Sequence, residues 1–170
     1  MNGKKNDSKS RKKIAVFVDV QNIYYTTRDR YNKPFNYRHL WQRLQAQGDI
    51  VIANAYAIHR GDDKQLQFQS ALKSIGFTMK LKPYIQRKDG SAKGDWDVGI
   101  AIDVMDVAAS GTADTIILLS GDGDFDLLLE KVKKDYHMAT EVYGVAELTA
   151  NSLIASATTF HPITEDMLRR

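Results

Sequence analysis

Aspartate residues directly follow two of the short apolar runs that are typical of buried strands. Asp19 follows the run of residues 14–18, and Asp122 and Asp124 lie in the segment after Thr115–Leu119. The carboxyl ends of parallel strands meet at one edge of a sheet, and ligands bind there. If both runs are central parallel strands, Asp19 and the Asp122 group lie close together at that edge.

A further aspartate begins the apolar helix that the sequence predicts for residues 98–109. At about 100° per residue, Asp97 lies on the apolar side of this helix, which packs against the protein. A first-turn aspartate that only stabilises the helix N-terminus is the simpler interpretation. The expected proximity of Asp19 and Asp122 favours a functional interpretation of Asp97.

Bringing these carboxylates together requires a compensating charge. Two unit charges about 4 Å apart repel by roughly 4 kcal/mol at an effective dielectric constant near 20. A hard divalent cation offsets this repulsion, and oxygen ligands without cysteine and with few histidines favour Mg²⁺ or Mn²⁺, as one or two ions, over zinc. Such a site supports phosphodiester hydrolysis by activated water.

The acidic residues after the 115–119 run have other interpretations. Their spacing resembles the start of an EF-hand calcium loop, but the sixth position is Leu127 instead of Gly and the twelfth is Lys133 instead of Glu. We therefore exclude a calcium loop. Capping of the following helix and catalysis both stay open for Asp124 and Asp126.

Four polar residues near these positions have less specific interpretations. Asp103 and Asp106 fall on the polar face of the predicted helix, so we expect them at the solvated surface unless the RNA or the metal lies on that side. Asn22 is a turn residue, or it orients a substrate phosphate or a metal-bound water. Ser120 satisfies a backbone group or supports the carboxylates.

Length and composition define the class of protein. The chain has 170 residues, of which 43% are hydrophobic, and this fits one globular domain. The absence of cysteine excludes a disulfide scaffold, a thiolate metal site and a cysteine nucleophile. No apolar stretch is long enough to cross a bilayer, so we expect a soluble, cytoplasmic protein without membrane association.

The positive charge is concentrated at the N-terminus. Six Lys and Arg residues precede position 14 against Asp7 alone, which leaves 18 basic and 20 acidic side chains in residues 14–170. We expect residues 1–13 to be a disordered basic tail, either solvated or binding phosphates nonspecifically, and residues 14–170 to be a single domain.

The order of predicted elements indicates the fold class. Apolar runs typical of strands recur at 50–58, 79–85, 115–119 and 140–143. Segments with helical spacing separate them, among them one with Phe68, Leu72 and Ile75 on one face, one that ends near Lys134, and residues 148–157. This alternation predicts an α/β fold with a mainly parallel sheet.

Three signatures at the predicted strand ends resemble those of the NYN domain, the LabA-like branch of the PIN-like nuclease superfamily. They are Asp19-x-x-Asn22, Lys93-Gly94 followed by Asp97-Val98 and Asp103, and Ser120-Gly121-Asp122-Gly123-Asp124-Phe125. The resemblance covers roughly residues 13–157. It implies a PIN-like three-layer α/β/α sandwich and a divalent-metal-dependent ribonuclease site. The residues so implied are the acidic Asp19, Asp97, Asp122 and Asp124, with Asn22 and Ser120 beside them.

The middle signature departs from the family pattern by one residue. The usual Lys-Gly-x-Asp is here Lys93-Gly94-Asp95-Trp96-Asp97, so either Asp95 or Asp97 takes the family position. The six-residue spacing from Asp97 to Asp103 favours Asp97. Trp96 either stacks on a base or shields the carboxylates from water.

Two segments have the composition of a surface that binds RNA. Residues 24–43 interleave six aromatic residues with Arg, Lys and His, and such residues bind single-stranded nucleic acid. We expect most of these aromatic residues to pack in the core. The polar loop 86–94 either contacts a phosphate or is an ordinary exposed loop. The candidate RNA-binding residues are Arg28, Arg87, Lys88 and Lys93.

The leading hypothesis is a metal-dependent endoribonuclease that acts on single-stranded or flexible RNA. The alternative is a non-catalytic regulatory or RNA-binding module that retains the acidic pocket. A phosphatase of the haloacid dehalogenase type fits poorly, because it needs a second Asp where this chain has Gln21. RNA is the expected partner, and a homodimer stays open.

Overall fold

A six-stranded parallel sheet forms the centre of the protein. The computed structural model describes residues 11–83, 85–86, 92–93 and 95–170. The strand order in the sheet is β3-β2-β1-β6-β7-β8, and β4 and β5 form a separate antiparallel pair. The strands are β1 (Lys12–Asp19), β2 (Gly48–His59), β3 (Thr78–Pro83), β4 (Ile85–Gln86), β5 (Ala92–Lys93), β6 (Thr115–Leu119), β7 (Ala139–Gly144) and β8 (Thr159–Pro162).

Helices cover both faces of this sheet. One face is packed against α1 (Val20–Tyr31), α2 (Tyr37–Gln47) and α3 (Asp63–Ile75). The opposite face is packed against α4 (Asp97–Ser110), α5 (Asp126–Tyr136) and α6 (Asn151–Ser156). The predicted three-layer α/β/α sandwich with a parallel sheet is therefore confirmed.

Successive side chains of β1 point to opposite faces of the sheet and belong to different layers of the core. Val16 and Val18 pack with α1 and α2, whereas Ala15 and Phe17 pack on the side of α4 and α5. All four side chains are fully buried, and burial of each large apolar side chain contributes roughly 1.5–3 kcal/mol. Burial on both faces explains why this strand is a continuous apolar run instead of an alternating one.

The order in which strands are added to the sheet reverses at β1: β2 and β3 lie on one side of it, and β6, β7 and β8 lie on the other. Strand β1 pairs in parallel with β2 on one side and with β6 on the other. In open α/β sheets, such a switch of strand order leaves a crevice beyond the carboxyl ends of the two strands. Asp19 ends β1 and Ser120 follows β6, so the two predicted acidic segments border this crevice.

The first strand begins earlier than the sequence predicts. β1 starts at Lys12, which pairs with Gly48, so residues 12 and 13 belong to the sheet and not to the predicted tail. Arg11 fixes this end, because its guanidinium lies 2.9 Å from the Asp49 carboxylate and donates to the Gly48 carbonyl. Residues 1–10 lie outside the described part of the chain.

The helices of the described ranges are all too short or too polar to span a bilayer.

Candidate active site

Three carboxylates from distant parts of the chain converge at the crevice. Asp19, Asp97 and Asp122 each offer an oxygen atom, and these oxygens all lie within 4.8 Å of one another. They come from the end of β1, the first turn of α4 and the turn after β6. All three side chains are half-buried, so solvent can reach the cluster. We call these three residues the acidic cluster.

Ser120 holds two members of the acidic cluster. Its fully buried hydroxyl donates to Asp19 Oδ2 at 3.1 Å and accepts the backbone N–H of Asp122 at 3.1 Å. Because one side chain serves both residues, the end of β1 and the turn after β6 are fixed relative to each other. The Ser120 hydroxyl thus contacts both a carboxylate and a backbone group, the two partners that the sequence analysis leaves open.

Asn22 connects the first helix to the same turn. Its Oδ1 accepts the backbone N–H of Gly121 at 2.8 Å, and its own N–H donates to Asp19 Oδ1 at 3.4 Å. The side-chain oxygen of Asn22 therefore serves as an acceptor for a backbone N–H group.

We expect Asn22→Ala to lower the free energy of unfolding by about 1–2 kcal/mol, because the Gly121 N–H loses its acceptor. Metal-dependent RNA cleavage should fall by about tenfold, as expected when support of a ligand residue is lost. Urea unfolding and a cleavage assay measure the two effects. The control is Thr158→Ala, which removes an acceptor from the Thr140 N–H in β7. It should lose comparable stability with unchanged cleavage, and an equal loss of cleavage in both variants would contradict the role of Asn22.

Trp96 anchors the N-terminus of α4, and with it Asp97. Its indole N–H donates to the Ala57 carbonyl at 2.9 Å, and its ring packs edge-on against Tyr56 with centroids 5.3 Å apart. Gly99 permits this arrangement, since a Cβ there would lie 2.5 Å from Trp96 Cε3. Trp96 is thus packed and hydrogen-bonded beside the acidic cluster.

The environment of the acidic cluster disfavours negative charge. Burial, with smaller contributions from the charges of Asp122 and Asp95, raises the pKa of Asp19 to about 6 despite hydrogen bonds from Ser120 and the Asn22 N–H. Burial and contact with the Asp122 carboxyl raise the pKa of Asp97 to about 7. Without a counter-ion, the cluster thus retains protons near neutral pH.

The donor set fits a hard divalent cation. All three donors are carboxylate oxygens, which Mg²⁺ and Mn²⁺ prefer, and the cluster contains neither the sulfur nor the imidazole ligands that are typical of zinc. Ligands of an octahedral Mg²⁺ at about 2.1 Å lie about 3–4 Å from one another, and the spacing of these oxygens is compatible with that. The residues present therefore fit the ion that the sequence predicts.

Comparison with known proteins identifies the family. The sequence profile of the NYN domain matches residues 13–164. The chain belongs to the NYN domain family. The predicted resemblance is therefore confirmed, and a relative supports the LabA-like branch. "Low amplitude and bright protein LabA" of Synechococcus elongatus is 29% identical over 129 residues, which cover 71% of this chain and 68% of that protein.

A solved structure shares this NYN-domain fold. The crystal structure of a Vibrio parahaemolyticus protein of unknown function superposes with a TM-score of 0.87 at 48% sequence identity. The similarity covers 94% of this chain and 97% of that one. The two proteins therefore share the arrangement of strands and helices over nearly their whole length.

Within the NYN domain, Asp97 and not Asp95 joins the acidic cluster. Asp95 is exposed, and its Oδ1 accepts the Asp97 N–H at 3.3 Å. The sequence analysis favours the same residue on spacing alone. Asp95 still contributes negative charge, which helps to raise the pKa of Asp19 and Asp97.

Two other predicted acidic residues lie outside the cluster. Asp124 is exposed in the 3-10 turn Gly123–Phe125, where its backbone N–H donates to Asp122 Oδ1 at 2.9 Å. Asp126 Oδ1 accepts the Leu127 N–H at 2.6 Å in the first turn of α5. The structure thus gives Asp126 a local role at the helix N-terminus, and Asp124 as a metal ligand stays a prediction.

Asp103 is not the solvated surface residue that its helical face predicts. It is half-buried and accepts a hydrogen bond from Tyr56 Oη at 2.7 Å, and Tyr56 Oη in turn accepts from Asn54 Nδ2 at 3.1 Å. The prediction was wrong because β2 brings a tyrosine hydroxyl under that face of α4. Asp106 is exposed as expected.

Tight packing holds the turn that carries Asp122. A Cβ on the buried Gly121 would lie 2.7 Å from the Leu148 carbonyl oxygen and 3.2 Å from Thr149 Cα, and neither backbone atom can move freely. Glycine is therefore required here for close approach of two segments.

We expect Gly121→Ala to lower the free energy of unfolding by about 1–3 kcal/mol, since the added methyl overpacks a backbone contact. Chemical denaturation monitored by circular dichroism measures the loss. The control is Gly111→Asn at the end of α4, where a Cβ would meet no atom within 4 Å and asparagine tolerates the φ of 71°. A smaller loss at position 121 than at position 111 would disprove the packing argument.

The aromatic residues of the 24–43 segment divide into core and surface. Phe35 and Tyr37 are buried in the core, and Trp41 packs against Phe77 with ring centroids 5.1 Å apart. Tyr24 and Tyr25 remain about half exposed, at 52% and 48%. The expected packing of most of these rings is confirmed, and the two exposed tyrosines form a separate surface feature.

Of the four candidate RNA-binding side chains, the structure describes that of Arg28. Arg28 is exposed on α1, with its guanidinium 3.5 Å from the Tyr24 hydroxyl. Arg87 and Lys88 lie outside the described residues, as does the side chain of Lys93.

Proposed function

We propose that this NYN-domain protein is a divalent-metal-dependent ribonuclease that hydrolyses phosphodiester bonds of single-stranded or flexible RNA. The acidic cluster carries the proposal. Three half-buried carboxylates with mutually close oxygens lie at a switch point of the sheet, in a family of nuclease-like domains. Carboxylates this close repel one another unless a cation or bound protons offset their charge.

The residues of the chain have distinct roles in this proposal. Asp19, Asp97 and Asp122 bind Mg²⁺ or Mn²⁺, as one or two ions, and Asp124 at the edge of the crevice is a further candidate ligand. Ser120 and Asn22 hold the carboxylates and the turn in place. A bound ion would supply an activated water and neutralise charge on the scissile phosphate.

Cleavage of a labelled RNA in Mn²⁺, in Mg²⁺ and in excess EDTA tests the proposal. We expect products with either metal and none with EDTA. A circular single-stranded RNA provides the test for endonuclease action, because it has no end for an exonuclease. Equal cleavage in EDTA would exclude the metal mechanism. Binding of RNA without cleavage in any metal would instead select the non-catalytic alternative.

A further inference from the structure

A large groove lies beside the acidic cluster on the face covered by α1, α2 and α3. It has a volume of about 720 Å³, within the range of small-molecule binding sites. Its walls come from α1 and α3, and buried aromatic side chains, Phe35 and Tyr37, lie among its lining. Part of its lining belongs to the 24–43 segment, whose composition is typical of a surface that binds RNA.

The groove lies near the Asp19 side of the acidic cluster. Val20 and Gln21, which directly follow Asp19 in the chain, are among its lining residues. Burial raises the pKa of the Tyr37 hydroxyl, and the negative charge of the nearby Asp19 raises it further. A molecule that occupies the groove is therefore close to the strand end that carries Asp19.

The rim of the groove is positively charged. Four of its described lining residues are Arg or Lys and one is acidic. Arg38, Lys64 and Arg169 are exposed and come from separate segments of the chain. The acidic residue, Asp62, is engaged as the N-cap of α3, where it accepts the Gln65 N–H at 2.8 Å. The rim is thus complementary to a polyanion.

Among the described residues, helix α4 on the opposite side of the acidic cluster lacks this complementarity. Helix α4 contains three aspartates and no Lys or Arg, and α5 begins with Asp126 and the exposed Leu127. A phosphate backbone that approaches along α4 meets these negative and apolar groups, and the described cation nearby is Lys82, whose Nζ already donates to the Asp95 carbonyl at 3.2 Å. The groove side therefore offers the more favourable approach.

The exposed tyrosines give the groove a surface on which a base can stack. Tyr24 and Tyr25 both line it, in edge-to-face contact at 5.2 Å between centroids. The guanidinium of Arg28 lies 6.0 Å from the Tyr24 ring centroid. Aromatic rings beside cationic side chains bind unpaired bases, because every base has a π-face and every nucleotide has a phosphate.

We propose that this groove binds an unpaired nucleobase of the RNA, with the adjoining phosphates along the Arg38, Lys64 and Arg169 rim. The inference deepens the proposed function, since it assigns single-stranded RNA as the substrate and gives the side from which the strand reaches the acidic cluster. A base held in the groove cannot be paired, so a regular duplex is excluded.

Fluorescence anisotropy of a labelled RNA in EDTA tests this without any need for cleavage. We expect the single strand to bind at least about tenfold more tightly than the blunt duplex of the same sequence. Tyr24→Ala should weaken single-strand binding by about tenfold, whereas Tyr136→Ala, a similar exposed tyrosine at the end of α5, should not. Equal affinity for strand and duplex, or equal effects of the two tyrosine variants, would overturn the proposal.

The salt dependence of the same binding tests the rim. Each of Arg38→Gln and Lys64→Gln should reduce the slope of log affinity against log salt by about 0.7. Lys134→Gln on α5 is the matched control and should leave the slope unchanged. If the two rim variants behave like the control, the rim does not contact the phosphates.

The outcomes separate this inference from the proposed function. Single-strand binding that depends on Tyr24 but occurs without cleavage in any metal would refute the ribonuclease and retain the groove. Metal-dependent cleavage with normal binding and cleavage by Tyr24→Ala would refute the groove and retain the ribonuclease.

Discussion

Asp122→Asn should lower the rate of Mn²⁺-dependent RNA cleavage by about a thousandfold or more, equivalent to roughly 4 kcal/mol of lost transition-state stabilisation. Asp122 belongs to the acidic cluster and its carboxyl contacts Asp97. Asparagine keeps the size of the side chain and the Oδ1 acceptor for the Asp124 N–H, so the turn should stay folded. The measurement is the cleavage rate at saturating Mn²⁺.

Two further variants complete this test. Asp19→Asn should reduce cleavage to a similar extent, because it removes another carboxylate of the cluster. Asp106→Asn makes the same chemical change on the exposed face of α4 and should leave the rate unchanged. Cleavage that survives both cluster substitutions would remove the assignment of the active site.

The second large effect is a loss of stability with rising pH when no divalent ion is present. The folded-state pKa of Asp19 is about 6, above its usual 3.8, so the folded protein holds this proton to higher pH than the unfolded chain does. The associated stability is complete below about pH 4 and is lost as pH rises toward 7. For Asp19 the loss is on the order of 2–3 kcal/mol. The pKa of Asp97, about 7, adds to it in the same direction.

Denaturation in EDTA and in Mn²⁺ across pH 4 to 8 measures this linkage. In EDTA, Asp19→Asn should be more stable than the wild type at pH 7, and the difference should vanish near pH 4. Mn²⁺ should raise the melting temperature of the wild type strongly at pH 8 and weakly at pH 5, because protons compete for the same oxygens. The prediction fails if Mn²⁺ stabilises Asp122→Asn as much as the wild type.

Strands buried on both faces are predicted well from the sequence. The predicted bounds of β6 agree with Thr115–Leu119. The predicted run 14–18 lies within β1, which begins at Lys12 and ends at Asp19. β8 was not predicted, because Thr159–Pro162 is short, half polar and ends in proline. Such an edge strand forms only through its pairing with β7.

Strand ends and helical periodicity point to the three residues of the acidic cluster, whereas Asp124, which the predicted ligand set also includes, lies outside it. Asp19 and Asp122 follow central strands, and the apolar face of α4 places Asp97 toward the protein. The contacts that support the cluster depend on residues far apart in sequence. Neither the Trp96 bond to Ala57 nor the Tyr56 bond to Asp103 follows from local pattern, because β2 supplies both partners.

The central position of β1 determines when the site comes into existence. Residues before α4 supply Asp19, whereas Asp97 and Asp122 belong to the later part of the chain, and the two parts join where β1 pairs with β6. A fragment containing either part alone lacks a full set of ligands. Divalent-ion affinity is therefore a property of the completed sheet, and the repulsion among the carboxylates arises only once its two halves have assembled.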